Sequence, residues 1–429
     1  MKSEKLPKKL ILNGGTILDP VKNEEKNMDL LIEKGKIAGI EKSIDTKGAR
    51  SIDCTGKVIT HGFCDLHAHF REPGREDKET LSSGSQAALA GGFTTVCVMP
   101  NTNPPLDSPE SIRFILEKAE SLPVTVFPIG AITKGQKGKE LTEMGVMVKS
   151  GAVAFSDDGN TLSDSGVMRR SLEYSSSLGV AIINHSEDLA LKGDGQMNEG
   201  TWSTKLGLSG IPDVSESTII HRDLDINRMI GGQIHIPHVS SRKSLEIIEK
   251  MKQVGVNVTV EVTPHHLYFT DENLESYNTN FKVAPPIRCE EDRKALIDGV
   301  KSGLIDCIST DHAPHTVEEK EMPFDLAPPG MIGLESAFGA VWKKLGDASV
   351  SLTDVIKALT IKPREVIGLE TNLFKVGLNP ELVILNTEKD WEFTQGDIYS
   401  KSRNSPFMGE KLRGKVTGVI HRGLITLID

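Results

Sequence analysis

Residues 62–69 read GFCDLHAH, a short apolar run that closes with two histidines, and similar runs recur through the middle of the chain. The others are TTVCVMPN (94–101), VTVFPIGA (124–131), AVAFSDD (152–158), VAIINHSE (180–187), IHIPHVSS (234–241), VNVTVEVTPHH (256–266) and IDCISTDH (305–312). Helical patterns such as KETLSSGSQAALAGG (78–92) and KSLEIIEKMKQVG (243–255) lie between them. Strands that alternate with helices indicate parallel βαβ units. Eight such units predict an α/β protein with a TIM-like (β/α)8 barrel over residues 61–364. The alternative is a doubly wound open sheet, but no glycine-rich dinucleotide fingerprint follows an early strand.

The two ends of the chain share a different texture. Residues 1–60 alternate short apolar runs with Gly- and Asn-rich turns, as in LILNGGTILD (10–19) and MDLLIEKGKIAGIEK (28–42), which is typical of β-hairpins. The same texture returns in ELVILN (381–386) and GKVTGVIHRGLITLI (414–428). We therefore expect a small β-sandwich domain built from both termini, residues 1–60 plus 365–429, beside the barrel.

Composition narrows the class of protein. The 429 residues include 50 Lys plus Arg and 60 Asp plus Glu, a net charge of −10, which disfavours nucleic acid as a partner. No run approaches the ~20 apolar residues of a membrane-spanning helix, and the apolar run Leu10–Leu12 is too short for a signal peptide. The five cysteines are scattered and form no CxxC pair, which is typical of a reducing compartment. A cytoplasmic protein without a membrane partner is predicted.

Most of the apolar runs end in residues that can bind a metal ion. These residues are His67 and His69, Asp157 and Asp158, His185, His238, and Asp311. In a barrel the carboxyl ends of all strands converge on one face, so these side chains are expected to be neighbours. Taken singly, a core histidine, a turn or a helix N-cap explains each residue; the joint pattern favours a metal site. Imidazole and carboxylate ligands without cysteine suit catalytic Zn²⁺. Counting one of the two neighbouring aspartates, six ligands suit two ions bridged by a carboxylate and a hydroxide.

Several motifs together resemble the bacterial class I dihydroorotases of the amidohydrolase superfamily. They are HAHFREPG (67–74), MPNT (99–102), SDDG (156–159), NHSED (184–188), HVSS (238–241), TPHHL (263–267), STDHAPH (309–315) and SRNSPF (402–407). The resemblance extends over essentially the whole chain. It implies reversible, zinc-dependent cyclisation of N-carbamoyl-L-aspartate to L-dihydroorotate in pyrimidine (UMP) biosynthesis.

The resemblance also assigns roles to individual residues. It places His67, His69 and Asp311 on one zinc ion and His185 and His238 on the second, with Asp158 and a hydroxide bridging the two. Asp157 is the neighbouring alternative for the bridge. Asp311 is implied as the catalytic group that moves a proton between water and the ring nitrogen. The substrate-binding residues carried over are His69, Arg71, Asn101, Ala284, His315, Pro329 and Gly330.

One position departs from the family pattern. Many relatives have an asparagine before the paired prolines, whereas this chain reads KVAPP over residues 282–286. The Ala284 side chain cannot donate a hydrogen bond, so one contact to the substrate ring must come from the backbone or be absent. Since the predicted metal ligands are intact, this change is expected to adjust substrate binding without abolishing activity.

Two other classes of function compete with this interpretation. Allantoinases and hydantoinases share the HxH motif that this chain has at residues 67–69. They resemble each other in bridging their two metal ions with a carboxylated lysine, whereas this chain has the aspartates of SDDG instead. A non-catalytic scaffold for aspartate transcarbamoylase is the rival from outside the enzymes, and such chains usually lose ligand histidines. A homodimer and a transcarbamoylase complex stay open as partner predictions. His265 and His266 are expected to lie behind the ligands or at the barrel rim.

Overall fold

The computed structural model describes residues 1–45 and 47–428. Before residue 62 the chain forms short strands joined by turns. They are β1 (Lys2–Lys5), β2 (Lys9–Asn13), β3 (Thr16–Asp19), β4 (Glu24–Asn27), β5 (Asp29–Glu33), β6 (Lys36–Glu41), β7 (Arg50–Asp53) and β8 (Val58–His61). The pairs β3–β4 and β5–β6 are antiparallel, as expected for hairpins.

From residue 63 onward, strands alternate with helices. The strands are β9 (Phe63–Ala68), β10 (Phe93–Val98), β11 (Thr125–Pro128), β12 (Ala154–Ser156), β13 (Ala181–Ile183), β14 (Met197–Asn198), β15 (Gly210–Ile211), β16 (Ile234–Ile236), β17 (Val258–Val262) and β18 (Cys307–Ile308). The helices are α1 (Leu81–Ala90), α2 (Pro109–Ala119), α3 (Met144–Lys149), α4 (Ser165–Leu178), α5 (Leu189–Lys192), α6 (Thr201–Leu206), α7 (Asp213–Ile230), α8 (Arg242–Gln253), α9 (Pro264–Tyr268), α10 (Glu290–Ser302), α11 (Val317–Lys320), α12 (Ala337–Asp347), α13 (Leu352–Leu359) and α14 (Ile361–Val366). Each of the eight apolar runs contains one strand, and the α/β class predicted from the sequence is confirmed.

These strands pair in the order of the sequence. β9, β10 and β11 are parallel neighbours, and so are β12, β13, β16, β17 and β18. A parallel bridge between Gly130 and Phe155 joins the first group to the second, and another between Ala68 and His312 leads back to β9. A doubly wound sheet would instead reverse its strand order at a switch point.

Local sequence explains where the helices begin and end. The Asp164 carboxylate accepts a hydrogen bond from the main-chain N–H of Val167 and so caps the first turn of α4. The same helix ends at Gly179, whose φ of 68° is a left-handed conformation that glycine adopts without steric cost. Capped helices of this kind pack over strands whose residues are almost all buried, which gives the strands their uninterrupted apolar character.

The C-terminal strands complete sheets that the N-terminal strands began. β19 (Leu382–Glu392), β20 (Lys411–His421) and β21 (Leu424–Leu427) join a seven-stranded sheet in the order β1-β21-β20-β19-β8-β3-β4. A four-stranded sheet has the order β6-β5-β2-β7. Both sheets contribute to one buried apolar cluster, which includes Leu10 and Leu30 from the second and Leu382 and Ile420 from the first.

The parallel strands β9 to β13 and β16 to β18 are called the ring strands below. The terminal sheets contact the ring strands at their amino-terminal ends. Gly62 donates to the Glu381 main-chain oxygen where β9 begins, and the Thr125 hydroxyl at the start of β11 is 2.9 Å from His421 Nε2. The carboxyl ends of the strands are therefore free to form a site. In the described residues, no helix is both long enough and apolar enough to cross a bilayer.

Candidate metal centre and active site

Six of the predicted site residues lie at or just after the carboxyl ends of the ring strands. His67 lies in β9 and His69 directly after it, and Asp158, His185, His238 and Asp311 follow β12, β13, β16 and β18. All six are buried. Parallel strands in consecutive order bring these side chains together although they are far apart in the sequence.

Asp158 lies between two pairs of histidines. Its Oδ2 is 3.4 Å from His67 Nε2 and 3.4 Å from His69 Nε2. Its Oδ1 is 3.5 Å from His185 Nδ1 and 3.5 Å from His238 Nε2. One carboxylate thus faces four imidazoles, two with each oxygen.

Asp311 lies on the side of the first pair. Its Oδ1 is 3.1 Å from His69 Nε2 and 3.5 Å from His67 Nε2. Ligand atoms of His67, His69 and Asp311 lie within 4.8 Å of one another, and the same holds for His67, Asp158 and His238.

Unsatisfied polar atoms test whether this cluster fits a metal ion. His67 Nε2 and Asp158 Oδ1 are fully buried and have no hydrogen-bond partner in the part of the chain that the structure describes. Buried polar atoms in proteins are nearly always satisfied, and a buried charge without compensation is costly. A divalent cation would compensate both atoms, and the mixed imidazole and carboxylate donors are those of catalytic metal sites. The residues present therefore fit a metal ion.

The electrostatics of the cluster favour positive charge. Burial alone would lower the pKa of His67, but the carboxylates of Asp158 and Asp311 raise it well above its usual value. Burial would raise the pKa of Asp158, yet the nearby imidazoles of His67, His185 and His238 hold it well below its usual range. Both shifts arise because imidazoles and carboxylates lie close together in one desolvated space, where each favours the charged form of the other.

Asp157, the alternative bridge, is directed away from the cluster. Its Oδ1 accepts hydrogen bonds from the main-chain N–H groups of Ile132 and Thr133, and its Oδ2 accepts one from the Thr133 hydroxyl. Asp158 therefore lies in the cluster, whereas Asp157 holds the loop after β11 through hydrogen bonds.

A cavity of about 270 Å³ opens beside the cluster. All seven residues predicted to bind substrate line it, namely His69, Arg71, Asn101, Ala284, His315, Pro329 and Gly330. Its walls also include Asp158, His185, His238 and Asp311, whereas His67 is not part of its lining. A larger cavity of about 850 Å³, near residues 198–213 and 289–292, contains none of the predicted site residues.

Arg71 and His315 are held in place by main-chain oxygens. Arg71 Nε donates to the Pro314 oxygen at 3.2 Å, which leaves the terminal nitrogens for another partner, and burial lowers its pKa to about 10. His315 Nε2 donates to the Pro329 oxygen at 2.9 Å, and burial lowers the pKa of this ring to about 3. A charged guanidinium and a neutral imidazole therefore face the same cavity.

Asn101 has a contact that the sequence did not indicate. Its Oδ1 accepts a hydrogen bond from His69 Nδ1 at 2.8 Å. The proton must then lie on Nδ1, so that Nε2 directs its lone pair towards Asp158 and Asp311.

Two acidic residues beside the cluster were missed by the sequence analysis. Glu187 Oε2 accepts from His185 Nε2 at 2.8 Å and from Lys192 Nζ at 2.6 Å. Glu261 contacts His67 from β17. Glu187 follows His185 by two residues in the NHSED motif, which was a usable signal, whereas nothing near Glu261 pointed to His67.

His265 and His266 are buried and lie outside the lining of the smaller cavity. His266 is tied to Thr263 Oγ1 and to the Pro285 oxygen, at 2.7 and 3.1 Å. His265 Nε2 has no hydrogen-bond partner among the described residues.

Known structures share this fold. An L-hydantoinase (dihydropyrimidinase) from Arthrobacter aurescens superposes with a TM-score of 0.86 at 24% identity and covers 98% of this chain and 97% of its own. A D-hydantoinase from a Thermus species gives a TM-score of 0.85 at 22% identity, covering 98% and 95%. The chain therefore shares the fold of these proteins, and it carries a buried His/Asp cluster that could hold a metal ion.

Sequence relatives specify the family. A family model described as "Dihydro-orotase-like" matches residues 56–244. A dihydroorotase of Aquifex aeolicus is 44% identical over 98% of this chain and 100% of its own length, and one of Caldanaerobacter subterraneus is 42% identical over 97% of each. The chain belongs to the dihydroorotase family, and the resemblance seen in the motifs is confirmed.

Proposed function

We propose that this chain catalyses the reversible ring closure of N-carbamoyl-L-aspartate to L-dihydroorotate, using two zinc ions. His67, His69 and Asp311 would hold one ion, His185 and His238 the other, and Asp158 would bridge them. The observation that carries this proposal is the position of Asp158, with one oxygen towards each pair of histidines.

The architecture supports the same function. We infer that the eight ring strands close into a (β/α)8 barrel over residues 61–364. The two terminal sheets would form a sandwich from residues 1–60 and 365–429. In such a barrel the reacting groups occupy the carboxyl ends of the strands, where the cluster lies.

The reaction needs a polarised carbonyl and an activated water, which divalent ions supply when bound. Ring closure forms a bond between the carbamoyl nitrogen and the side-chain carboxyl carbon, with loss of water. In ring closure Asp311 takes a proton from the attacking nitrogen and passes it to the oxygen that leaves as water; in ring opening it takes a proton from the attacking water and delivers it to the leaving nitrogen. Asp311 suits this role because it lines the cavity while contacting His69.

The chain's own residues orient the substrate. The Arg71 guanidinium offers a two-pronged donor to the carboxylate that does not react, and Asn101 and His315 complete the clamp. The Pro329–Gly330 backbone lines the same cavity next to His315. The methyl group of Ala284 also lines the cavity and cannot form a hydrogen bond, so one contact to the substrate ring must come from the backbone or be absent.

The test is turnover by the purified, zinc-loaded protein, followed through dihydroorotate absorbance, with the Asp311→Ala variant alongside. The expected result is ring closure and opening in the wild type and a loss of at least a hundredfold in the variant, because proton transfer contributes roughly 10²–10⁴-fold. Hydantoin and allantoin serve as competing substrates.

Faster turnover of hydantoin or allantoin would reassign the substrate to the hydantoinase or allantoinase class. A folded protein that binds no zinc and turns over nothing would favour the scaffold for aspartate transcarbamoylase. The homodimer, the transcarbamoylase complex and the cytoplasmic location stay predictions.

A further inference from the structure

Strand β17 supplies none of the predicted metal ligands, yet it places a carboxylate directly behind them. Glu261 is the fourth residue of this strand and is only 1% exposed. A buried carboxylate is costly unless its oxygens are well bonded, so each of its partners carries information.

Both oxygens of Glu261 are used. Oε1 lies 3.1 Å from His67 Nδ1 and accepts from the main-chain N–H of His238 at 3.4 Å. Oε2 lies 3.1 Å from His235 Nε2, and the other ring nitrogen of His235 is 2.8 Å from Thr259 Oγ1. One carboxylate therefore connects the ring of one proposed ligand with the backbone of another.

The contact with His67 determines which nitrogen of that ring is free. An ionised carboxylate can only accept, so the proton of His67 must lie on Nδ1. Nε2 is then the nitrogen that the neutral ring would offer to a metal ion, and it is the buried atom, without a hydrogen-bond partner among the described residues, that faces Asp158 and Asp311.

The contact with His238 restrains the backbone of a residue in the second pair of proposed ligands, His185 and His238. His238 has a φ of 35°, which is unusual for a residue other than glycine and must be maintained by its surroundings. The bond from its main-chain N–H to Glu261 is one such restraint, because it ties the turn after β16 to β17.

We propose that Glu261 is a positioning residue: it fixes the tautomer and orientation of His67 and sets the backbone of His238, so that both proposed zinc sites keep their spacing. This inference rests on the proposed function, since it assumes that these histidines bind zinc.

The test is the zinc affinity of metal-depleted protein, measured by competition with a chromophoric chelator, for the wild type, Glu261→Gln and Glu261→Leu. Loss of a hydrogen-bond partner behind a metal ligand typically costs about 10–100-fold in metal affinity. We expect about tenfold for Glu261→Gln, whose amide oxygen still accepts from His67 while the charge is lost. We expect about a hundredfold for Glu261→Leu, which cannot accept at all.

The matched control is Glu381→Gln. Glu381 is also largely buried, with its side chain 17% exposed, and it accepts from Thr94, Thr95 and Arg364 without contacting a proposed ligand. It should keep wild-type zinc affinity even if its melting temperature falls. The melting temperatures of all metal-free proteins separate a general loss of stability from a loss of zinc binding.

Folded Glu261 variants that bind zinc as tightly as the wild type would overturn the positioning role. If Glu261→Leu does not fold, Glu261→Gln decides alone. A wild-type protein that binds no zinc would instead overturn the proposed function, and with it the premise of this inference.

Discussion

At the scale of single residues, Asp157 and Asp158 show how one position changes a role. Neighbouring side chains at a strand end point in opposite directions. Asp158 therefore enters the histidine cluster, with its Oδ1 lacking a hydrogen bond, whereas Asp157 accepts three bonds from the loop after β11. Substitution of these two aspartates is therefore expected to have different effects, on zinc binding for Asp158 and on stability for Asp157.

We expect Asp158→Asn to lower zinc affinity by at least tenfold, because the amide cannot bridge two cations. Asp157→Asn should keep its zinc and lose about 1–3 kcal/mol of unfolding free energy, because buried donors lose a charged acceptor. Metal analysis after dialysis and urea unfolding measure the two effects. If Asp157→Asn lost its zinc and Asp158→Asn kept it, the assignment would be wrong and Asp157 would be the bridging ligand.

At the scale of elements, the segment between β19 and β20 reaches back to the cavity. The Asn404 amide nitrogen donates to the main-chain oxygens of Ala313 and Gly330, each at 3.1 Å, and its oxygen accepts from the His315 N–H at 3.1 Å. One buried side chain therefore joins the two loops that carry His315 and Gly330.

We expect Asn404→Ala to raise the KM for dihydroorotate about fivefold to tenfold, because loops that bind substrate lose bonds worth about 1 kcal/mol. The kcat should change less, since Asn404 does not line the cavity. Steady-state kinetics measure both. Asn372→Ala is the control, because among the described residues its side chain accepts only from the Phe374 N–H, and Asn372 does not line the cavity. A fall in kcat at constant KM would contradict this assignment.

At the scale of the whole molecule, buried histidines lie where the terminal sheets contact the ring strands. His61 ends β8 and packs against Phe374, with ring centroids 4.7 Å apart, and neither of its nitrogens has a hydrogen-bond partner within residues 1–45 and 47–428. Burial lowers the pKa of His61 to about 4, with Asp19 and Glu381 opposing the shift and Arg364 assisting it. The folded protein therefore holds this ring neutral.

The sign of the pH dependence follows from this shift. The unfolded chain binds a proton on His61 near pH 6.5, whereas the folded protein does so only near pH 4, so stability present above pH 6.5 is lost as the pH falls towards 4. At pH 5, His61 should account for about 1–2 kcal/mol of this loss.

Replacing His61 by leucine should remove the part of the loss of unfolding free energy at low pH that arises from His61. The measurement is the free energy of unfolding in urea at pH 7.5 and pH 5.0, for metal-depleted wild type and His61→Leu. The control is His221→Leu, since the His221 side chain is 57% exposed. An equal loss of stability in the wild type and His61→Leu would rule out His61 as a source.

The sequence by itself determined the α/β class, the positions of the ring strands and the family. These follow from local patterns: each apolar run contains a strand, and residues two apart in a strand, such as His67 and His69, face the same side. The departure at residue 284 was also visible in the sequence, because it lies inside a recognisable motif.

Only the tertiary structure separated Asp157 from Asp158 and revealed the contacts of Glu261 and Asn404. The Glu261 and Asn404 contacts join residues up to 194 positions apart, and they depend on which strands are neighbours and in what register. Periodicity indicates which way a side chain faces along its own strand, but it carries no information about the partner across the next one. For that reason the ligand types could be read from the sequence, whereas the groups that orient them could not.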